Sequence, residues 1–293
     1  MPKFLVVGAS GRIGSQVVRG LVAQGHAIHA LSRNPRPMDD LGGQVTSFAG
    51  AVTHPPSIAS ALDGTDAAFL LWPTFSAEQA PAVVDAIASK SRHIVFLSAF
   101  GVPDDPEVHS PLFHAGIERL IRDSGIGWTF LRPTGFASNT LGWADQIKAG
   151  DTVRWPYGRA RRALIHELDI AEVAVKVLSE TGHSGMRYVL SGPEQLTQIE
   201  QVERIGRALG RPLAYIEMDP ATARAELLKS WGSADFVDAA LQGWADMIEN
   251  PEPVTSTVSQ ITGRPAFTFA QWAEDHVADF GGTNQSAASS RIF

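Results

Sequence analysis

The feature that most limits how this chain can fold is the run Gly8-Ala9-Ser10-Gly11-Arg12-Ile13-Gly14. It follows the apolar stretch Phe4-Leu5-Val6-Val7 and leads into Ile13, Val17, Val18, Leu21 and Val22 at helical spacing. An apolar run without alternation suits a strand buried on both faces of a parallel sheet. In the turn that follows, Gly8 permits the tight exit and Gly11 lets backbone N–H groups approach a pyrophosphate. Gly14 allows the helix to pack closely on the strand. An anion then lies at a helix N-terminus, where unpaired N–H groups and the helix dipole favour it.

The same rhythm continues. Ala27 to Leu31, Val45 to Phe48, Ala67 to Leu71, His93 to Leu97 and Trp128 to Leu131 read as further strands. Helical patterns over Ser57 to Leu62, Ala82 to Lys90 and Pro111 to Asp123 stand between them. Strand–helix units joined by short links predict an α/β fold, a doubly wound parallel Rossmann sheet. After Pro133 the pattern loosens, then a helix (Ile170 to Leu178) and a strand (Tyr188 to Leu190) return to it. The reading is a dinucleotide-binding domain over 1–150, rejoined by 166–190. A smaller, mostly helical substrate lobe covers 191–283, with helices over Gln198 to Leu209 and Ala221 to Leu228, and a flexible polar tail covers 284–293.

Net charge is −7 with no Lys/Arg run, which argues against nucleic acid or an anionic membrane as partner. There are no cysteines, so disulfides, thiolate metal sites and a catalytic Cys are excluded. No stretch reaches the ~20 apolar residues of a membrane span, and no signal-peptide pattern is present. These features predict a cytoplasmic protein, monomeric or homodimeric.

Cofactor choice depends on the end of the second strand. A carboxylate there would bind the ribose 2′-OH of NAD, whereas an Arg accommodates the 2′-phosphate of NADP. The chain offers Ser32-Arg33-Asn34, with no acid before Asp39, and Arg12 can add a second guanidinium. NADP(H) is favoured, with NAD(H) possible. The expected line of cofactor contacts is Gly8, Ser10, Gly11, Arg12, Ile13, Gly14, Ser32 and Arg33, continuing along the strand ends through Leu71, Trp72, Pro73, Ser98 and Pro133.

With that turn, Ser32-Arg33-Asn34-Pro35, Leu97-Ser98-Ala99-Phe100-Gly101 and Ser124 to Pro133, the chain resembles the NmrA-like atypical short-chain dehydrogenases. The likeness continues through Asp169-Ile170-Ala171, Leu190 to Glu194 and Thr262-Gly263-Arg264-Pro265, and so spans nearly the whole chain. It implies a Rossmann core with a small C-terminal substrate lobe. It also implies either an NADPH-dependent reductase of quinones, dyes or enones, or a redox sensor that binds dinucleotide and a protein partner without turnover.

The chain departs from the wider superfamily at the catalytic dyad. A Tyr-x-x-x-Lys pair is expected on the helix after the fifth strand, where Lys lowers the Tyr pKa. Here there is no Lys between Lys90 and Lys148, and the first Tyr is Tyr157. That helix reads Phe113-His114-Ala115-Gly116-Ile117-Glu118. His114 and Ser98 are the candidate catalytic residues, His114 as proton donor or carbonyl orienter. Quinones tolerate a poor acid, because hydride addition gives a delocalised anion that water protonates. A quinone or conjugated aromatic acceptor, polycyclic ones included, is therefore expected. Phe100, His114, Phe136, Trp143, Trp155 and Tyr157 are the candidate pocket walls. His166-Glu167 and the pair His109 and His114 form no convincing ligand set, so no metal is assigned. Asp169 is expected to cap the helix at Ile170.

Overall fold

A computed structural model describes residues 1–35, 38–105, 108 and 112–283. The chain opens with β1 (Lys3–Val7), α1 (Arg12–Ala23), β2 (Ala27–Ser32) and β3 (Val45–Ala49). It continues through β4 (Ala67–Leu71), α2 (Ala80–Ala88), β5 (His93–Leu97), α3 (Phe113–Asp123) and β6 (Gly127–Pro133). The segment expected as a helix at Ser57 is a 3-10 turn, Pro55–Leu62. The expected helix start at Pro111 lies outside the described residues, as do His109 and the tail 284–293.

After β6 come α4 (Ala144–Ala149), β7 (Thr152–Trp155), β8 (Arg161–Arg162), α5 (Glu167–Ser179) and β9 (Met186–Leu190). The chain then forms β10 (Leu196–Thr197), α6 (Gln198–Ala208), β11 (Ala214–Glu217), α7 (Pro220–Trp231), α8 (Ala234–Asp246), α9 (Thr257–Thr262) and α10 (Phe269–Asp275).

Seven parallel strands make one sheet in the order β3-β2-β1-β4-β5-β6-β9. Alternate side chains divide it into two faces. Phe4 and Val6 point into a core with α1 and α5, whereas Leu5 and Val7 point into a second core with α2 and α3. This two-sided burial is why the strands show no polar alternation. The strand order reverses between β1 and β4, and the crevice at the carboxyl ends of these strands is where such sheets take their ligands.

The lobe packs around a core of its own. Its core joins Ala137, Trp143, Ile147, Val153 and Leu164 to Val202, Ile205, Phe269, Trp272 and Phe280. Residues from 137–164 thus share one core with residues from 196–213 and 269–280. Two short pairings brace it, β7 with β11 (parallel) and β8 with β10 (antiparallel). Glu252, itself buried, locks the junction: its Oε1 accepts from Gly135 N (3.1 Å) and Arg162 Nη2 (2.9 Å). Val258 of α9 returns to the main core beside α5.

One cap also differs. Helix α5 starts at Glu167 with His166 as N-cap, its Nδ1 accepting from Leu168 N (3.2 Å). Asp169 lies inside the first turn, its carboxylate taken by Arg264 Nη1 (2.8 Å) and Phe267 N (2.9 Å). Pairing with Arg264 has replaced capping.

Candidate functional site

The glycine turn is held by its own backbone. Gly8 N and Ala9 N donate to Leu31 O, and Gly11 N donates to Gly8 O (2.9 Å). Gly8 has φ +82°, a conformation that favours glycine. A Cβ on Gly14 would overlap the Gly8 carbonyl. Helices α6 and α10 carry capping boxes, but α1 has Gly11 as N-cap and no side-chain cap. Helices α2, α3 and α4 also lack a side-chain cap, but α1 starts at a turn whose Gly8, Ser10 and Gly11 line a cleft.

A cleft of about 390 Å³ opens over this turn. Of the expected cofactor residues it is lined by Gly8, Ser10, Gly11, Ser32, Arg33, Leu71 and Pro73. Gly50, Ala51, Val52 and Thr53 form the opposite wall, a stretch that no sequence motif marks. Gly50 is needed there because a Cβ would meet Ser57 Oγ at 2.7 Å and Leu31 Cδ1 at 2.8 Å. Two of the expected contacts have buried side chains. Ile13 lies in the main core, and the Trp72 ring packs in the second core with Nε1 donating to Ser76 O (2.8 Å). Large apolar side chains gain more from burial than from lining a polar cleft. Pro133 ends β6, where its carbonyl accepts from Phe100 N.

Arg12 faces a neighbouring cavity of about 600 Å³ and pairs with Asp279 at 3.6 Å. His166, Glu167 and His276 line that cavity. His276 Nε2 reaches Glu167 Oε1 (2.8 Å) and its Nδ1 reaches Trp272 O (2.8 Å), so both ring nitrogens donate. Burial alone would raise the Glu167 pKa and lower that of His276. Their mutual hydrogen bond reverses both, holding Glu167 at about 2 and His276 above its usual 6.5. A raised His stabilises fully below its unfolded pKa and loses that contribution as pH climbs through the folded value. A depressed Glu stabilises above its unfolded 4.5 and loses it toward 2. Both contributions are complete between about pH 4.5 and 6.5. Thermal unfolding should therefore show the melting temperature of the protein falling from pH 6.5 to 9. His276→Gln should flatten that slope, and an unchanged slope would count against the pair.

At the end of β5, Ser98 Oγ donates to Glu118 Oε1 (2.6 Å), and Glu118 is fully buried. Arg132 grips the same carboxylate through Nε (2.9 Å) and Nη2 (2.7 Å), and holds Asp104 through Nη1 (2.6 Å). His114 lies one turn before Glu118, its ring stacked on Phe113 (centroids 3.9 Å apart). Burial lowers its pKa to about 4, and its Nδ1 is buried without a partner. At neutral pH His114 is an uncharged imidazole, so a hydrogen-bond donor and not an imidazolium acid.

The structure brings two of the expected aromatic walls together: Trp143 and Trp155 meet edge to face with ring centroids 6.2 Å apart and line a small cavity with Trp244. Trp143 is a core residue of the lobe, and Trp155 is shared between that core and a satellite cluster that Tyr157 also packs against. Phe136 rests on the main core, while Phe100 is 40% exposed. Sequence reasoning missed a different run of rings. Phe75, 60% exposed, lies 4.1 Å from Phe236 of α8 and 6.5 Å from Phe113 of α3. It bridges the strand-end loops and the lobe. No periodicity could have revealed it, since Phe75 sits in a loop and its partners are far away in sequence.

Among the described residues no group of three or more His, Asp or Glu is placed to hold a metal ion. Among these residues, too, no helix is long and apolar enough to cross a membrane.

The model of a family described as NAD(P)H-binding matches residues 8–181. A (4-alkanoyl-5-oxo-2,5-dihydrofuran-3-yl)methyl phosphate reductase of Streptomyces griseus is 37% identical, over 94% of this chain and 99% of that one. An NAD(P)H azoreductase of Xenophilus azovorans is 31% identical, over 95% and 99%. Among solved structures, an NADPH-dependent quinone oxidoreductase from Escherichia coli superposes with a TM-score of 0.75 at 25% identity, covering 93% of this chain and 98% of that one.

Proposed function

This chain belongs to the NAD(P)H-binding family, and from that premise we propose that it transfers hydride from NADPH to a quinone or similarly conjugated carbonyl acceptor. What supports the reading is a cleft over the glycine turn, in a chain whose helix α3 carries His114 at the place where the resemblance leads one to expect a Tyr-Lys dyad. A neutral imidazole can polarise an acceptor oxygen but is a weak acid. This suits acceptors whose reduced form spreads its negative charge and takes a proton from water. The named relatives reduce an oxo-dihydrofuran, azo compounds and quinones, acceptors with that property in common.

The NADPH preference rests on Arg33 in the cleft wall and on Ser32 in place of an acid at the end of β2. Arg12 can join by leaving Asp279. Both partners of that pair are about half exposed, and such pairs are worth ~0–1 kcal/mol.

The test is a fluorescence titration with NADPH and NADH, followed by absorbance of the reduced nicotinamide with a panel of quinones and cyclic enones. We expect tighter NADPH binding and acceptor-dependent oxidation. Arg33→Ala should erase about 10- to 100-fold of the NADPH preference, the range of a charge-assisted phosphate contact. Tight binding with no oxidation of any acceptor would instead favour a dinucleotide sensor.

A further inference from the structure

We propose that Glu118 makes Ser98 a hydrogen-bond acceptor toward the bound cofactor, so that Ser98 positions the nicotinamide carboxamide and does not touch the reducible substrate. The inference rests on the hydride-transfer reading above, but its binding arm does not need turnover.

The argument is one of proton accounting. A serine hydroxyl has one proton and two lone pairs, and a carboxylate can only accept. Glu118 is held as a carboxylate by the two-point grip of Arg132, at 2.9 and 2.7 Å. The 2.6 Å bond between Ser98 and Glu118 is therefore donated by Ser98, and its single proton is committed. With both residues buried, no water competes for that bond.

What remains on Ser98 is lone pairs. A quinone or enone presents oxygen acceptors and nothing to donate, so Ser98 has no bond to offer it. The cofactor does present a donor beside its reactive ring, the carboxamide NH₂. Ser98 directly follows Leu97, whose β4 partner Leu71 lines the dinucleotide cleft. It thus stands at the strand ends, one strand over from that wall. Glu118 and Arg132 act through Ser98 and are positioning residues.

The decisive probe is an NADPH analogue with a 3-acetyl group in place of the carboxamide, which keeps the carbonyl and loses both N–H donors. The native protein should bind NADPH about 3- to 10-fold more tightly than this analogue, the worth of one hydrogen bond. Ser98→Ala should bind both equally, and Ser98→Thr, which keeps the hydroxyl, should restore the preference. Substrate KM should be unchanged in Ser98→Ala. A native preference that survives in Ser98→Ala overturns the proposal, as does a raised substrate KM with unchanged cofactor discrimination. Failure of every acceptor to oxidise NADPH would sink the function proposed above and leave the binding comparison standing.

Discussion

Gly14→Ala is expected to weaken dinucleotide binding by more than 100-fold and to lower the melting temperature. The added Cβ would overlap the carbonyl oxygen of Gly8 and come within 2.7 Å of its carbonyl carbon and 3.1 Å of Ala9 Cα. All three are backbone atoms of the turn itself, so no side chain can swing away to make room. Either α1 moves off β1 or the turn unwinds, and both displace the N–H groups that would meet the pyrophosphate. Overpacking of this kind costs about 1–3 kcal/mol before any loss of ligand. Gly243→Ala in α8 is the control. A Cβ there meets nothing within 4 Å, and replacing a mid-helix glycine should stabilise by about 0.5–1 kcal/mol. Calorimetry and NADPH titration of the two variants would separate a steric effect in the turn from a general effect of removing glycine. Native-like affinity in Gly14→Ala would mean that the turn does not hold the phosphates.

Arg132→Met is expected to cost about 3–5 kcal/mol, because it strands a buried carboxylate without its cation. Glu118 is completely buried, and among the described residues Arg132 supplies two of the three side-chain hydrogen bonds it receives. At about 2–4 °C per kcal/mol for a domain of this size, the melting temperature should fall by about 10 °C. The double variant Glu118→Met with Arg132→Met should recover most of that loss, since paired apolar groups of similar volume often replace a buried ion pair without penalty. Recovery of stability without recovery of cofactor discrimination would separate the two contributions of this pair. A small effect of the single change would mean that the buried Glu118 does not depend on Arg132.

The legibility of this chain follows sequence distance. The turn from Gly8 to Gly14 and the strands from Phe4 to Leu131 could be read because their signals are local: glycine at fixed spacing and apolar runs of strand length. Ser98, Glu118 and Arg132 carry no such signal in combination. They lie 20 and 14 residues apart, and only the parallel register of β5 and β6 under α3 brings them together. Asp169 has the composition of a cap, yet it is claimed by Arg264, 95 residues away. The aromatic residues are ambiguous for a related reason. Trp143 belongs to the lobe core and also lines a small cavity, while Tyr157 is partly buried against a satellite cluster, and such placements are decided only by the tertiary fold.

The lobe core is assembled from three separate passes of the chain, 137–164, 196–213 and 269–280. Between the second and third passes α9 dips back into the main body. A lobe stitched in this way cannot be transplanted as a cassette, because any cut that frees it also opens the scaffold. Divergence in what the protein reduces must therefore accumulate through scattered single substitutions, each tolerated by both halves. Relatives with different acceptors would then keep the same outline from end to end. The near-complete mutual coverage of this chain and its reductase relatives is what such a history would leave behind.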